Sequence, residues 1–328
     1  MHLLETFLEE TARVRLLPGP TPLHRMHRLE EQWGYPEIYI KRDDMTGIGP
    51  GGNKIRSLEF ILGEAVQQGC GRILAAGPVQ SNLCTLTAAA CAKLGLVCEL
   101  VHNGEEPERK QGNLLLNQIL GVKSHFLGKV DSKVRDAYME ELFEKYQQEG
   151  RKPYVVRNGA TTGRGALGYT AAVLELMKQC REQGIEDMTV FTPAGNGGVA
   201  TGLIYGNAVM GMPFRIVVIS VEDDRETLET HIRETMAETE EITGIAVTKP
   251  LKELCEIEDS YRGEGWGQNT EESAREIYDF ARAEGIFIEN VYTSKVIVGM
   301  REWLKQGRTS GPVCYLHTGG FGSLFDQY

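Results

Sequence analysis

The sequence is poor in the features that mark nucleic-acid-binding and membrane proteins. Its 328 residues include 35 Lys and Arg against 46 Asp and Glu, which gives a formal net charge of −11. That balance argues against nucleic acid or an anionic membrane surface as the main partner. The longest stretch without charge, residues 188–214, is broken by two prolines and several glycines. We therefore predict no membrane-spanning helix.

A secretory signal and paired cysteines are also missing. Residues 1–12 predict an amphipathic, acidic helix that has no basic start, apolar core or cleavage site. The seven cysteines form no C-x-x-C pair and lie in apolar segments, as expected of reduced thiols that pack as small hydrophobic side chains. We therefore expect a cytoplasmic protein, and we predict no metal site.

The length of the chain favours two domains of ~150 residues each. Short apolar strands alternate with helices along most of the sequence, which predicts α/β domains with mainly parallel sheets flanked by helices. We predict a smaller domain at residues 55–165 and a larger, discontinuous domain made of residues 1–54 and 166–328. Lys54 then lies at the joint between them, where a ligand cleft is expected.

A glycine-rich turn places Lys54 at the start of a helix. Residues 38–41 predict a strand, and Asn53 opens an amphipathic helix after the turn. The glycines of the turn allow the backbone to come close to a bulky group. For this turn alone, a solvated lysine in a loop is the simpler interpretation.

A second glycine-rich turn lies between a predicted strand and a helix at residues 195–202. Exposed N–H groups and a helix N-terminus predict a phosphate-binding cup formed by Gly195, Asn196, Gly197 and Gly198. The spacing fits neither the complete dinucleotide fingerprint nor a P-loop. A tight strand-to-helix turn is the alternative.

Two further sites of interest also follow predicted strands. Ser81 and Asn82 begin a helix, and either ordinary N-capping or the binding of a carboxylate explains them. Thr318 follows the last strand, where a hydroxyl at the carboxyl edge of a parallel sheet faces the ligand crevice. We expect the neighbouring His317 to be a packed side chain rather than a catalytic base.

Together these groups predict one ligand that carries an aldehyde, a phosphate and a ring nitrogen, which is pyridoxal 5'-phosphate (PLP). A lysine bonds covalently to the aldehyde, and the cofactor then acts as an electron sink for the α-carbon of an amino acid.

The order of the motifs K-R-D-D, G-G-N-K, Q-S-N, G-A-L-G-Y, the glycine turn, V-Y-T-x-K and H-T-G-G resembles the family of D-cysteine desulfhydrase and 1-aminocyclopropane-1-carboxylate (ACC) deaminase. These are PLP enzymes of the tryptophan-synthase-β-like class, fold type II. The resemblance extends from about residue 10 to the C-terminus. It implies a two-domain fold with the cofactor in the inter-domain cleft, a small amino acid as substrate and a homodimer.

The resemblance also implies a role for each candidate residue. Lys54 would form the Schiff base and shuttle the proton, Thr318 would face the pyridine nitrogen, and Tyr292 would lie near the substrate. The implied catalytic residues are Lys54, Ser81 and Tyr292. The implied cofactor-binding residues are Lys54, Asn53, Asn82, Gly195, Asn196, Gly197, Gly198 and Thr318. The implied substrate-binding residues are Ser81, Asn82, Leu83, Trp266 and Tyr292.

Two positions favour elimination over opening of a cyclopropane ring. Thr293 and Thr318 stand where the deaminases of the family carry Glu and Leu. A hydroxyl donates to an unprotonated pyridine nitrogen, whereas a carboxylate favours the pyridinium. We therefore predict a PLP-dependent lyase that converts a small amino acid to a 2-oxo acid, ammonia and a leaving group such as sulfide or sulfite. ACC deamination is disfavoured.

Departures from the family lie on the substrate side and leave alternatives open. Leu83, Trp266 and Val199 replace more polar side chains or a tyrosine of the family pattern, so D-cysteine as the substrate does not follow. Racemisation, β-replacement and a non-catalytic protein that binds PLP or an amino acid remain alternatives. A nicotinamide dehydrogenase would need a complete dinucleotide fingerprint, which is not evident.

Overall fold

The computed structural model describes residues 2–327 and contains two β-sheets flanked by helices. The strands are β1 (Leu23–Arg25), β2 (Ile38–Arg42), β3 (Arg72–Gly77), β4 (Val97–His102), β5 (Lys123–Phe126), β6 (Pro153–Val156), β7 (Thr189–Ala194), β8 (Arg215–Ser220), β9 (Glu256–Glu258) and β10 (Val313–His317). The helices are α1 (His2–Glu10), α2 (His27–Trp33), α3 (Lys54–Gln67), α4 (Asn82–Leu94), α5 (Gly112–Ile119), α6 (Ser132–Gln148), α7 (Gly163–Gln183), α8 (Gly198–Val209), α9 (Arg225–Thr243), α10 (Leu251–Leu254), α11 (Glu271–Glu284), α12 (Thr293–Lys305) and α13 (Phe321–Gln327).

The larger sheet has the strand order β1-β2-β10-β7-β8-β9. Only β1 pairs antiparallel, with β2, among the strands of the described residues. The carboxyl ends of β2, β10, β7 and β8 therefore meet at one edge. The loops that carry Lys54, Thr318 and the glycine cup follow three of these strands, which is the edge where α/β proteins bind ligands.

The smaller sheet is parallel throughout, with the order β5-β4-β3-β6. Its four strands lie between residues 72 and 156, inside the smaller domain predicted at residues 55–165. The exact boundaries of the two domains stay a prediction. The end of β3 leads to Ser81, and the end of β6 leads to a 3₁₀ turn at Asn158–Ala160.

The core follows from the two-residue period of the strands. On β10, Cys314 and Leu316 pack in the cluster on the α7 and α8 side of the larger sheet. Their neighbours Val313 and Tyr315 pack with Trp303 on the α11 and α12 side. Both faces of the central strands are thus covered, as expected for a parallel sheet.

A buried ionic network fixes α3, the helix that begins with Lys54. The Arg56 guanidinium donates to Asp43 from Nε at 2.7 Å and to Glu175 from Nη2 at 2.8 Å. The Tyr169 hydroxyl also donates to Asp43, at 2.6 Å. Burial opposes the charge of Asp43, but Arg56 and Lys41 outweigh it and lower its pKa to about 2. The network therefore holds α3 against β2 and α7.

The predicted strands and most helices are confirmed, with differences at short and terminal elements. The helix predicted at 1–12 is α1; Met1 and Tyr328 lie outside the described residues. The helix predicted from Tyr169 begins earlier, because Thr162 caps α7 by accepting from the Gly165 N–H. The edge strands β1 and β9 were not predicted, since three residues are too short to show a period.

Within the described residues, no helix has both the length and the hydropathy that crossing a membrane requires.

Candidate cofactor site

Lys54 is the first residue of α3, and its side chain extends into the space between the two sheets. Its Nζ donates to the main-chain carbonyl of Gly159 at 2.7 Å. Burial lowers the pKa of Lys54 to about 8, while the Glu222 carboxylate acts in the opposite direction. An amine with this pKa is about one-tenth neutral at pH 7, a far larger nucleophilic fraction than that of an ordinary lysine with a pKa of about 10.4. The side chain is therefore suited to covalent chemistry rather than to an ion pair.

The glycine cup lies at the N-terminus of α8 and leaves that terminus open. Gly197 is the N-cap residue, with φ of 84°, and no side chain caps the helix. The first N–H groups of α8 have no acceptor within the helix. A Cβ built on Gly198 would lie 3.0 Å from Thr161 Oγ1, and one on Gly197 would lie 3.2 Å from Ile232. Only glycine leaves room here for an anion beside the backbone.

The loop that carries Lys54 is paired with the loop that follows β10. The Asn53 N–H donates to the Thr318 carbonyl at 3.0 Å, and Gly52 forms an isolated β-bridge with Gly319. The side chain of Asn53 makes no capping bond to α3. Thr318 is 7% exposed, and within residues 2–327 its hydroxyl has no protein partner. The hydroxyl oxygen is not among the fully buried polar atoms without a partner, so it faces accessible space, where a ligand can reach it.

Tyr292 and Trp266 form a hydrogen-bonded pair near the cup. The Trp266 indole N–H donates to the Tyr292 hydroxyl at 2.8 Å. A Cβ built on Gly195 would lie 3.4 Å from Tyr292 Cε1, so the ring lies against the first residue of the cup. Burial raises the pKa of Tyr292, while the Trp266 donor acts in the opposite direction. The phenol therefore keeps its proton, which points away from Trp266.

Ser81 and Asn82 begin α4, as predicted. Ser81 Oγ accepts from the Cys84 N–H, so it is the N-cap, and the Asn82 side-chain oxygen accepts from Asn113 at 2.8 Å. Within residues 2–327, neither side chain is hydrogen-bonded to Lys54. Leu83 is buried in the apolar cluster between α3 and α4, which favours a packing role. The binding roles of these three residues stay predictions.

Thr293 does not present its hydroxyl to a ligand. Its Oγ1 accepts from the Glu289 N–H at 2.6 Å and lies 3.0 Å from a carboxylate oxygen of the same residue. Glu289 also accepts from the N–H groups of Val291 and Tyr292, so it caps the start of α12. Thr293 therefore belongs to a buried cap rather than to the cofactor ring.

His317 is a packed side chain, as expected. Its Nδ1 accepts from the Gly319 N–H at 3.2 Å, and its Nε2 lies 2.9 Å from the Phe287 carbonyl. The first contact requires an unprotonated Nδ1, so the proton of the neutral ring lies on Nε2. Burial lowers the pKa of His317, which favours this neutral form.

Three groups of the site were missed in the sequence. Glu222 follows β8, and a Cβ built on Gly195 would lie 2.9 Å from its carboxylate oxygen. Gly159 and Thr161 follow β6 and line the space between Lys54 and the cup. All three residues lie shortly after a predicted strand. That position was the signal in the sequence that could have identified them, because the carboxyl ends of parallel strands are where ligands bind.

The arrangement fits a phosphorylated aldehyde. Lys54 offers an amine, the N-terminus of α8 offers N–H donors to a phosphate, and Thr318 offers a free hydroxyl. All three lie at the carboxyl edge of the larger sheet. The fold and the arrangement of these groups are those expected of an α/β enzyme with a cofactor between two sheets.

The comparison with known families agrees with this site. The family model described as pyridoxal-phosphate dependent enzyme matches residues 14–319. The chain belongs to this family. Its cofactor is therefore PLP, and the predicted α/β architecture of a fold type II PLP enzyme is confirmed.

Relatives with two different names are similar to the chain at nearly equal identity. A protein of Pyrococcus abyssi (strain GE5 / Orsay), provisionally named a 1-aminocyclopropane-1-carboxylate deaminase, is 33% identical over 98% of this chain and 96% of its own. A D-cysteine desulfhydrase of Klebsiella pneumoniae (strain 342) is 32% identical over 95% of both chains. The crystal structure of an ACC deaminase homologue has a TM-score of 0.91 and 33% identity, covering 99% of this chain and 97% of its own. The predicted family is confirmed, but these comparisons do not favour elimination over ring opening.

Proposed function

We propose that the protein catalyses α,β-elimination on a small amino acid, in the manner of a D-cysteine desulfhydrase. The amino acid and water would yield a 2-oxo acid, ammonia and the leaving group, such as sulfide or sulfite. The observation that carries this proposal is the Lys54 amine with a pKa of about 8, placed beside an uncapped glycine cup and the unpartnered hydroxyl of Thr318.

The residues of this chain that would hold PLP follow from the geometry. Lys54 would bond to its aldehyde, and Gly197, Gly198 and the first turn of α8 would hold its phosphate. Thr318 and Asn53 would lie beside the ring. When bound, PLP supplies an electron sink that stabilises negative charge on the α-carbon of the amino acid.

Lys54 Nζ is the group placed to move the α-proton. Its amine has a pKa of about 8 in this structure, so it can accept a proton at moderate pH. The Gly159 carbonyl, 2.7 Å away, orients the amine. The partly buried Glu222 lies near enough to raise the pKa of Lys54 and so favours the protonated form after the transfer.

Other residues would bind and orient the amino acid. The N-terminus of α4, with Ser81 and Asn82, would bind the substrate carboxylate through N–H donors and side-chain groups. Tyr292 would donate its proton to the leaving group, because its oxygen already accepts from Trp266. Trp266 is 39% exposed and would cover the substrate side of the site.

Ring opening of ACC is the second candidate. Similar relatives carry that name, and the hydroxyl of Thr293, which suggested elimination, is occupied by Glu289. The preference for elimination now depends on Thr318 alone, whose free hydroxyl is compatible with an unprotonated pyridine nitrogen.

Product analysis separates the two activities. The purified protein would be incubated with both enantiomers of cysteine and 3-chloro-alanine and, separately, with ACC. Elimination converts the first set to pyruvate and ammonia, whereas ring opening of ACC yields 2-oxobutanoate and ammonia. A Lys54→Ala variant is the control and should lose both activities together with the visible absorbance of the bound cofactor.

Each result has a definite meaning. Pyruvate from cysteine or chloro-alanine supports elimination, and the enantiomer that reacts gives the handedness of the substrate. Production of 2-oxobutanoate alone supports the second candidate. Inverted amino acid without a 2-oxo acid would indicate racemisation and contradict the proposal.

We also propose that the protein is a cytoplasmic homodimer. Phe321 contacts Phe287 and Phe325, with ring centroids 6.1 and 5.1 Å apart, and all three rings are largely exposed. Exposed aromatic groups of this kind are typical of interfaces. Light scattering coupled to size-exclusion chromatography should give twice the mass of one chain, and Phe325→Ser should lower it.

A further inference from the structure

Lys295 is the most completely buried lysine of the described chain and has no role in the chemistry above. Its exposed fraction is 0%. It lies in the first turn of α12, three residues after Tyr292. Burying an ammonium group is costly unless it is fully hydrogen-bonded. The hydrogen-bond partners of Lys295 therefore indicate which parts of the structure it holds together.

Within residues 2–327, the hydrogen-bond partners of Lys295 are main-chain carbonyls from two other segments, and the Glu289 and Glu222 carboxylates act on its charge from a distance. Nζ donates to Val221 at 3.2 Å, to Arg262 at 2.6 Å and to Gly265 at 2.8 Å. Three acceptors match the three N–H donors of a charged ammonium. The side chain thus joins the end of β8 to the segment 262–266.

That segment has little else to hold it in place. Its sequence is Arg-Gly-Glu-Gly-Trp, and Gly263 and Gly265 both have positive φ. The Arg262 side chain contributes a single long hydrogen bond to the Glu222 carbonyl, at 3.4 Å. The segment ends at Trp266, whose indole N–H donates to Tyr292.

We propose that Lys295 is a positioning residue that fastens segment 262–266 to the end of β8, so that Trp266 reaches the Tyr292 hydroxyl. That this surface receives the substrate rests on the proposed function; the fastening of the segment does not. Tyr292 is the N-cap residue of α12, and Lys295 lies in the first turn of this helix. The start of α12 therefore contacts the segment twice, through the Lys295 ammonium and through the Tyr292 hydroxyl.

The alternative is that Lys295 only stabilises the core. If Lys295 only stabilises the core, its replacement should lower the free energy of unfolding of the whole protein. A positioning role predicts a local effect on residues 259–268 and on the contact between Trp266 and Tyr292. Hydrogen–deuterium exchange followed by mass spectrometry separates the two, because it measures each segment and needs no substrate.

The first test compares Lys295→Met with a matched control, Lys305→Met. Lys305 lies on the same helix but is exposed, and its ion pair within residues 2–327 is with Glu302 on the surface. In Lys295→Met, the three carbonyls lose the hydrogen bond from Nζ, and those of Arg262 and Gly265 keep only longer main-chain bonds of 3.3 Å. The amides of residues 259–268 should then exchange at least about tenfold faster. The amides of β3 and α8 should change by less than about twofold, and Lys305→Met should match the parent protein throughout.

The second test is a double-mutant cycle with Trp266→Phe, measured as KM and kcat for whichever amino acid the enzyme turns over. If Lys295 acts through Trp266, each single variant raises KM, and Lys295→Met adds little in the Trp266→Phe background. Effects that add fully would overturn the proposal. So would unchanged exchange at residues 259–268, or a uniform rise of exchange in every segment.

A variant of the loop covers the case in which Lys295→Met does not fold. Gly265 has φ of 120°, a conformation that alanine rarely adopts, so Gly265→Ala should displace a carbonyl from Lys295 without changing the core. It should reproduce the local rise in exchange and the increase in KM. Parent-like values for both would overturn the proposal. Loss of turnover in the parent protein would bear on the proposed function alone, because the exchange result stands without it.

Discussion

Lys54 donates a hydrogen bond from its Nζ to the Gly159 carbonyl at 2.7 Å, and the two residues are 105 positions apart in the chain. Gly159 follows the last strand of the smaller sheet, whereas Lys54 follows a strand of the larger one. The bond therefore joins the two sheets at the point where the cofactor is proposed to attach. It also holds the amine in a partly buried place, where desolvation lowers its pKa.

The capture of PLP by the cofactor-free protein should follow the ionisation of this amine. Only the neutral amine attacks an aldehyde, and its pKa is about 8. We expect the rate to rise about tenfold per pH unit below pH 8 and to level off above it. Stopped-flow absorbance in the visible range measures the rate.

Glu222→Gln is the internal control for that pH profile, since PLP itself also ionises. The Glu222 carboxylate raises the pKa of Lys54, so its removal should shift the profile to lower pH. A profile that is the same in both proteins, or that is flat, would contradict the assignment of Lys54.

The glycine cup should be selective for the phosphate of the cofactor. Alanine at Gly197 would be strained at φ of 84° and would contact Ile232, a cost of about 1–3 kcal/mol. We expect Gly197→Ala to bind PLP roughly tenfold to a hundredfold more weakly, with little change for pyridoxal, which has no phosphate. Gly211→Ala is the control, because Gly211 has the same φ of 84° at the other end of α8 and nothing near its Cβ. Equal losses for both aldehydes would count against a phosphate role.

The sequence predicted those parts of the site that follow strands directly. Lys54, the glycine cup and Thr318 were predicted because each local pattern contains a strand, a turn and a helix start or chain end; the structure places all three at one sheet edge, and their roles stay predictions. Glu222, Gly159 and Lys295 were given no role, although Lys295 ends the V-Y-T-x-K motif, because their contacts join segments that are far apart in the sequence. Thr293 shows the same limit, since the sequence could not reveal that Glu289 occupies its hydroxyl.

The buried network below α3 should contribute strongly to stability. Replacing Arg56 by Met would leave the Asp43 carboxylate buried without its main partner, and we expect the free energy of unfolding to fall by about 3–5 kcal/mol. The matched control is Arg28→Met, because Arg28 pairs with Glu31 on the surface and such pairs contribute about 0–1 kcal/mol. Urea unfolding at pH 7 measures both. Equal losses would show that the network is not important for the fold.

The same network has a defined pH dependence. The pKa of Asp43 is about 2 in the folded protein, below its ordinary value of 3.8. Folding therefore favours the charged form of Asp43. The contribution of this carboxylate to the free energy of unfolding is fully present above pH 3.8 and is lost as the pH falls towards 2. The difference in unfolding free energy between the parent protein and Asp43→Asn should therefore shrink over this window. A constant difference would indicate that Asp43 is not ionised at pH 7.

Thr318 provides a test of whether its hydroxyl serves the fold or the cofactor. Thr318 is a mostly buried residue whose hydroxyl is accessible and has no protein partner within residues 2–327, so Thr318→Val should leave the Tm of the cofactor-free protein nearly unchanged. If the hydroxyl donates to the ring of PLP, the loss of one hydrogen bond should weaken binding by about 0.5–1.5 kcal/mol. The rise in Tm on adding PLP should then be smaller in the variant, because the stabilisation by a ligand grows with the logarithm of its affinity. Thr230→Val, at an exposed position of α9, controls for the substitution itself. A cofactor-free protein that is already destabilised by Thr318→Val, with the same gain in Tm from PLP as the parent, would assign the hydroxyl to the fold instead.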